Sequence, residues 1–378
     1  MKPMTYYIIA GEASGDLHGG NLIKELLKLD PQGKVLCWGG ENMEQAGGKV
    51  VKNYRALAFM GFWEVIKNLP AILKNISFCK KDILSVKPDV VILIDYPGFN
   101  LRIAKWAKKQ GFKTIYYISP QIWAWKEGRV KGIKRFVDKM IVILPFEKEF
   151  YKKWNYEVEY VGHPLVQMVE DFKKINHHSK TGDFSATEKP IIALLPGSRK
   201  QEILAKLPLM LKAVKHFPDY QFVVAKAPGA ENSFYEDALK NYPEAVSVNN
   251  KSYELLSIAT AALVTSGTAT LETALFFVPQ VICYKGNPIS YAIAKKLVNI
   301  KFIGLANLIM NKEVVKELIQ DELNEKNIVS ELAAVLPNGN KRAQVLKDYS
   351  HLQDILSEEV PASAKAAGII HKFLLSTQ

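Results

Sequence analysis

Short, fully apolar runs recur along this chain at spacings that each leave room for one helix, and the pattern occurs twice. In the first half the runs are YYIIA at 6–10, KVLCWGG at 34–40, DVVILID at 89–95, KTIYYIS at 113–119, KMIVIL at 139–144 and EVEYVG at 157–162. Strands apolar on both faces belong to a parallel sheet covered by helices on both sides, because neither face then meets water. Residues 173–190, KKINHHSKTGDFSATEKP, break the periodicity and read as a linker. IIALL, YQFVVAKAP, AVSVNN, AALVTSG and QVICYK then resume it, with helices expected near 200–216, 231–241, 268–277 and 288–299. The expected fold class is α/β, with two Rossmann-like doubly wound domains over 1–172 and 191–340. They are expected to face a central cleft lined by the loops after the strands' carboxyl ends. From Lys341 onward the pattern is helical, and residues 341–378 are expected to pack back across the domains or to reach a partner chain.

A length of 378 residues exceeds one ordinary core and suits two domains. The net charge of +12 favours anionic partners or serves solubility alone, and nucleic-acid binding would rest on that charge and on nothing else. Cys37, Cys79 and Cys283 lie far apart without CxxC spacing, which argues against a disulfide framework or a zinc site and for reduced, buried thiols. The opening MKPMTYYIIA holds too short an apolar run for a signal peptide, and no run reaches transmembrane length. Any work on lipid would be done from the membrane surface.

Three strand-to-helix turns carry the chemistry. IIALLPGSRKQEI puts Gly197, Ser198 and Arg199 after a strand and before a helix, offering a pliable backbone, a hydroxyl and a forked permanent cation to a diphosphate. LVTSGTATLETA repeats the arrangement with Ser266, Gly267 and Thr268, where N–H groups at a helix start favour an anion. Glu272 follows Thr268 by one helical turn and can accept hydrogen bonds from two adjacent ribose hydroxyls. In the first half, DVVILIDYPGFN ends a strand on Asp95, placed to act as general base on a sugar hydroxyl or to brace its loop. GEASGDLHGG, the first such turn, carries Glu12 and Asp16 and lacks the G-x-G-x-x-G spacing, so it is a poor phosphate or dinucleotide loop. Trp123 and Trp125, close to four cations, read either as a sugar-stacking surface or as packing; His163 in YVGHP reads as structural. No H-E-x-x-H, Cys/His cluster or D-x-D pair supports a catalytic metal, so Arg199 is the expected phosphate-site cation.

Residues 57–84 are rich in large apolar side chains edged by Lys67, Lys74, Lys80 and Lys81. That combination is expected of a helix lying in a membrane interface, with Phe59, Met60, Phe62, Trp63, Ile66 and Leu69 as the lipid contacts. A core helix is the alternative for Ile72, Leu73 and Ile76.

AGEASGD, IDYPGFN, SPQIWAW, VGHP, LLPGSR, TSGTATLE and IGLANLIMN occur in this order between residue 10 and residue 311. In these motifs the chain resembles the lipid-A-disaccharide synthase family, inverting glycosyltransferases of the GT-B fold. The resemblance implies transfer of 2,3-diacylglucosamine from UDP-2,3-diacylglucosamine to 2,3-diacylglucosamine 1-phosphate, lipid X, giving a β-1,6-linked disaccharide and UDP without a cofactor or metal. It implies Asp95 as base, Glu12 and the rest of GEASGD facing the acceptor's hydroxyls, and Arg199, Ser266, Glu272 and Asn307 on the UDP-sugar, with Asn100 as a further substrate contact. It also implies a cytoplasmic protein peripheral to the inner membrane, and a homodimer that exchanges C-terminal regions. The chain departs from the pattern after YKGNP, where Ile289 replaces an expected aromatic, so no donor contact is carried to that position. The rival readings are a UDP-GlcNAc 2-epimerase-like enzyme and a non-catalytic nucleotide-sugar-binding protein.

Overall fold

The computed structural model describes residues 3–57, 69–176, 188–227, 230–288, 291, 292, 295, 298 and 300–377. The chain divides into two compact units, Met1–Pro164 with Glu358–Gln378, and Leu165–Ser357.

In the first unit the strands are β1 (Thr5–Ala10), β2 (Lys34–Gly39), β3 (Lys49–Asn53), β4 (Val90–Ile94), β5 (Thr114–Tyr117), β6 (Lys139–Val142) and β7 (Glu159–Tyr160). They form one parallel sheet in the order β3-β2-β1-β4-β5-β6-β7. The helices between them are α1 (Ala13–Leu29), α2 (Glu41–Gln45), α3 (Leu69–Val86), α4 (Pro97–Lys109), α5 (Ile122–Trp125), α6 (Val130–Phe136) and α7 (Pro145–Lys152). Strand β4 shows why the sheet must be covered: all five of its residues are buried, and an uninterrupted Val/Ile/Leu run has no face to offer water. Trp38 Nε1 donates to the Tyr7 hydroxyl at 2.9 Å, and that hydroxyl in turn donates to Asp82 of α3, so a buried polar chain ties β2 and β1 to the helix above them.

In the second unit α8 (Pro164–Ile175) leads into β8 (Ile191–Leu195), α9 (Lys200–Leu211), β9 (Gln221–Lys226), α10 (Ser233–Leu239), β10 (Val246–Asn249), α11 (Ser252–Ile258), β11 (Ala259–Thr265), α12 (Thr268–Leu275) and β12 (Gln280–Tyr284). After these come α13 (Leu305–Met310), β13 (Glu317–Ile319), α14 (Glu325–Val335) and α15 (Arg342–Leu356). The six parallel strands run in the order β10-β9-β8-β11-β12-β13. Both sheets therefore reverse direction between their first and fourth strands, which is the doubly wound topology.

Two expected boundaries move. Helix α8 belongs to the second unit and not to a domain ending at 172: Leu165, Val166 and Val169 are buried in its core, and Lys173 Nζ donates to the Leu275 carbonyl. The C-terminal stretch also divides. Helix α15 buries Val345, Tyr349, Leu352 and Leu356 in the second unit, and only α16 (Ala362–Leu375) joins the first, where it packs against α1. The residues from 57 to 84 divide as well. Phe59, Met60, Phe62, Trp63, Ile66 and the Leu69 side chain lie outside the described residues, while within α3 Ile76 is buried and Leu73 and Phe78 are exposed. No described helix is long and apolar enough to cross a membrane.

Candidate functional site

In an open parallel sheet, ligands bind beyond the carboxyl ends of the strands where the order reverses. In the first unit that point lies between β1 and β4, which pair with Ala10 opposite Ile94. The next residues on the two strands are Gly11–Glu12 and Asp95–Tyr96. The geometry here is forced. Asp95 and Tyr96 both hold left-handed backbone, with φ of 42° and 47°, a conformation that costs a non-glycine residue of order 1 kcal/mol or more. The Tyr96 ring lies against Gly11 so closely that a Cβ there would stand 2.3 Å from it. Gly11 is thus needed for contact, and its neighbour Glu12 becomes the N-cap of α1.

Asn100, expected to touch substrate, is fully buried one turn into α4. Its Nδ2 donates to the carbonyls of Asp95 at 2.8 Å, Ile94 at 3.1 Å and Ile9 at 3.3 Å. Through this amide nitrogen it clasps the ends of β1 and β4 and positions Asp95, while its buried Oδ1 has no hydrogen-bond partner among the described residues. The Tyr116 hydroxyl donates to the same Asp95 carbonyl from β5.

The Asp95 carboxyl is pushed up to about 7, first by burial and second by the negative charge of Glu12, against a Tyr96 backbone hydrogen bond that pulls it down. A carboxyl near neutrality is matched to taking a proton from a hydroxyl at physiological pH.

The rest of GEASGD does something else. Asp16 is buried and accepts from the main-chain N–H groups of Gly40, Asn42 and Met43, with Asn42 Nδ2 at 2.8 Å. It satisfies the open N-terminus of α2, so it is unavailable to sugar hydroxyls. Gly15, Gly19 and Gly20 serve close packing, with Ala10, Met43 and Asn42 respectively. Trp123 is packing as well: its Nε1 donates to Glu147 at 3.2 Å and its ring meets Phe146 edge-on at 4.9 Å. Trp125 is exposed, with the Lys126 ammonium 4.0 Å from its ring centre. His163 is buried beside His18, and burial holds both imidazoles neutral, at about 3 and about 4.

In the second unit the reversal lies between β8 and β11, where Leu195 pairs with Val264. The two turns singled out from the sequence therefore lie side by side. Gly197 and Gly267 have φ of 116° and 111°, which admits glycine and strains other residues. Ser198, Arg199, Gly267 and Thr268 are exposed, and Gly267 is the N-cap of α12. Arg199 pairs with Glu202 at 3.6 Å, and over half of its side chain remains in solvent. Glu272 lies one turn into α12, accepts from the Tyr253 hydroxyl at 3.3 Å, and is pushed above the usual carboxylate range by burial.

Asn307 again departs from expectation. It is fully buried; its Nδ2 donates to Glu317 and the Val315 carbonyl, and its Oδ1 accepts from Val314 and Val315 N–H. Glu317 also accepts from the N–H groups of Ile303 and Gly304. Asn307 thus has all its hydrogen bonds inside the protein and fixes the start of α13.

The sequence reading missed Lys206. Its ammonium is buried, donates to Thr265 Oγ1 at the base of the Ser266–Thr268 turn, and is held below its usual range by burial. The signal was present: with Ile203, Leu207 and Met210, all buried, Lys206 lies on the apolar stripe of α9, where a lysine is anomalous.

The chain matches the family model described as lipid-A-disaccharide synthetase over residues 6–370. A lipid-A-disaccharide synthase from Syntrophus aciditrophicus is 39% identical over 377 residues, covering 98% of this chain and 97% of the relative. Among solved structures, the calicheamicin glycosyltransferase CalG4 is similar at a TM-score of 0.63 and 14% identity, with 100% of both chains covered. The UDP-GlcNAc 2-epimerase of Neisseria meningitidis, solved with UDP-GlcNAc, is similar at a TM-score of 0.63 and 14% identity, covering 99% of this chain and 100% of that one. The structural likenesses establish the GT-B fold, which synthases and epimerases share, while the family match and full-length identity separate them: the chain belongs to the lipid-A-disaccharide synthase family.

Proposed function

We propose that this protein transfers 2,3-diacylglucosamine from UDP-2,3-diacylglucosamine to the 6-hydroxyl of 2,3-diacylglucosamine 1-phosphate, with inversion at the donor's anomeric carbon and release of UDP. The observation that carries the reading is Asp95, a carboxyl near neutrality, at the switch point of the first sheet. Asp95 takes the proton of the acceptor 6-hydroxyl as its oxygen attacks, and Glu12 accepts a hydrogen bond from the acceptor sugar. The second unit takes the nucleotide: the turns at Gly197–Arg199 and Ser266–Thr268 hold the diphosphate, and Glu272 accepts from the ribose. Arg199 and the N-terminus of α12 offset charge on the departing UDP, so turnover needs neither cofactor nor divalent metal.

The apolar residues of 57–84, together with exposed Leu73 and Phe78 on α3, support peripheral association with the cytoplasmic face of the inner membrane, where acylated substrates reside. The homodimer belongs to the same proposal: exchange of α16 between two copies would seat its Ala366–Leu374 face on a partner's α1.

The test is UDP release from UDP-2,3-diacylglucosamine in detergent, with and without 2,3-diacylglucosamine 1-phosphate and with EDTA present. Acceptor-dependent release is expected. Turnover of unacylated UDP-GlcNAc, with no release from the acylated pair, would overturn the reading in favour of the epimerase.

A further inference from the structure

Helices α4 and α6 of the first unit border a groove of about 440 Å³, within the size range of small-molecule sites of roughly 300–1,000 Å³. Pro97 and Gly98, which follow Asp95 and Tyr96 directly in the chain, are among its lining residues, so one end of its lining reaches toward the proposed acceptor hydroxyl. Its floor is apolar, formed by Leu101, Ile133 and Phe136 among others.

Three cations line it: Arg102, Lys105 and Arg129. Among the described residues none of the three has a carboxylate within salt-bridge distance, although Lys108, close by on α4, is paired with Asp138. Arg129 is only partly exposed, and its charge reaches the Tyr116 phenol that donates to the Asp95 carbonyl. A half-buried guanidinium with no carboxylate opposite it leaves desolvated charge to be met by a ligand anion.

The groove is also kept open at some cost. Gly98, Gly128 and Gly132 line it, and a Cβ added to any of them would meet no atom within 4 Å. None has the left-handed backbone that requires glycine, and Gly132 lies inside α6, where glycine is worse than alanine by about 1 kcal/mol.

An apolar floor rimmed by unpaired cations, beginning at the base, fits an acylated sugar phosphate whose phosphate lies across the ring from its reacting hydroxyl. We propose that this groove is the acceptor's recognition site, with the 1-phosphate held by Arg129, Arg102 and Lys105 and an acyl chain lying on Leu101, Ile133 and Phe136. This rests on the proposed transferase reading, and a binding measurement separates the two.

Full-length protein is titrated with 2,3-diacylglucosamine 1-phosphate in neutral detergent, without donor, following the fluorescence of Trp125, which lies 5.7 Å from the Arg129 guanidinium. Arg129→Ala is expected to weaken binding by at least about tenfold and to erase the preference over the same lipid lacking its phosphate. Gly132→Leu is expected to weaken both lipids by a similar factor while leaving UDP binding unchanged and the melting temperature unchanged or raised. If both variants bind as the unaltered protein does, the groove assignment is overturned, whatever the turnover assay gives. Equal weakening by Arg129→Ala for the phosphorylated lipid and for phosphatidylglycerol micelles would assign the groove to membrane phospholipid and overturn it too. Acceptor binding that depends on the groove, without UDP release, would sink the transferase reading and keep the site.

Discussion

Replacing Asp95 by Asn should abolish turnover and at the same time stabilise the first unit, and the size of the second effect follows from the structure. Asparagine tolerates the left-handed backbone of this position better than almost any other non-glycine residue, so the turn is kept. The folded protein holds Asp95 at about 7 against an ordinary value of 3.8, a rise of about three pH units. At about 1.36 kcal/mol per unit, the buried charge opposes folding by up to about 4 kcal/mol once it is ionised in both states. The sign is that of a raised carboxyl. The folded state binds the proton more tightly, so below pH 3.8 the group contributes no penalty, between 3.8 and 7 the penalty grows, and above 7 it is complete. Asp95→Asn should therefore melt several degrees higher at pH 8, and the gain should shrink toward zero near pH 4. Differential scanning calorimetry at the two pH values reads this directly. The acceptor-dependent kcat/KM of the unaltered enzyme should rise with pH to a half-maximum near 7. A variant that is no more stable at pH 8, or a rate flat from pH 5 to 8, would refute the account of a buried base raised by its surroundings.

Three further substitutions test the positioning of the sites. Gly11→Ala drives a methyl into the Tyr96 ring, so it should cost about 1–3 kcal/mol and lower kcat/KM by disturbing Asp95; Gly368→Ala inside α16, where nothing lies within 4 Å, is the control that keeps kcat/KM and keeps or raises stability. Lys206→Met removes a buried ammonium whose hydrogen-bond acceptor is a hydroxyl, so the melting temperature should hold or rise while KM for the UDP-sugar increases about tenfold; an unchanged KM would make Lys206 a bystander. Asn307→Ala strips hydrogen bonds from Val314, Val315 and Glu317, and should destabilise the second unit by about 3 kcal/mol in denaturant titration. A fully stable Asn307→Ala with impaired UDP binding would restore the direct contact that the structure removes.

The central strands were legible because burial on both faces writes a continuous Val/Ile/Leu run into the sequence. The strands that escaped, β3 and β13, lie at sheet edges. Lys49–Asn53 carries two lysines and Glu317–Ile319 has three residues, as suits strands with one neighbour. Glu12, Asp95 and the turns at Gly197–Arg199 and Ser266–Thr268 could be placed at the points of reversal because strand ends and glycine-rich helix starts are local patterns. The internal hydrogen bonds of Asn100, Asn307 and Asp16 could not be read from pattern alone. Asn100 reaches the Ile9 carbonyl 91 residues back, Asp16 takes main-chain and side-chain donors from Gly40 to Met43, and Asn307 bonds Val314, Val315 and the Glu317 carboxylate, contacts set by the folded chain and not by the motif. Lys206 is the converse case, a functional candidate hidden in a helix that otherwise reads as packing.

The two sheets present the same frame, a helix start beside a strand end at the point of reversal, and fill it with opposite charge. In the second unit the positive end of α12 is joined by Arg199 and Lys206, which favour an anion at that edge although Glu202 pairs with Arg199 and Glu272 lies one turn into α12. In the first unit the positive end of α1 is met by Glu12, its own N-cap, and that negative charge in turn raises Asp95. The helix dipole that would otherwise invite phosphate is answered by a carboxylate, and the second carboxyl can keep a proton up to neutral pH first because it is buried and second because Glu12 is charged. A nucleotide diphosphate placed at this edge would meet Glu12 and, above pH 7, Asp95 as well, whereas a neutral hydroxyl meets a base. The unpaired cations begin only beyond Gly98, along α4 and on Arg129, where an acceptor bound by its hydroxyl would carry its own charge. On the proposed reading, charge placement sorts the substrates by their ends: diphosphate to the second unit, hydroxyl to Asp95, and the acceptor's phosphate to the groove between α4 and α6.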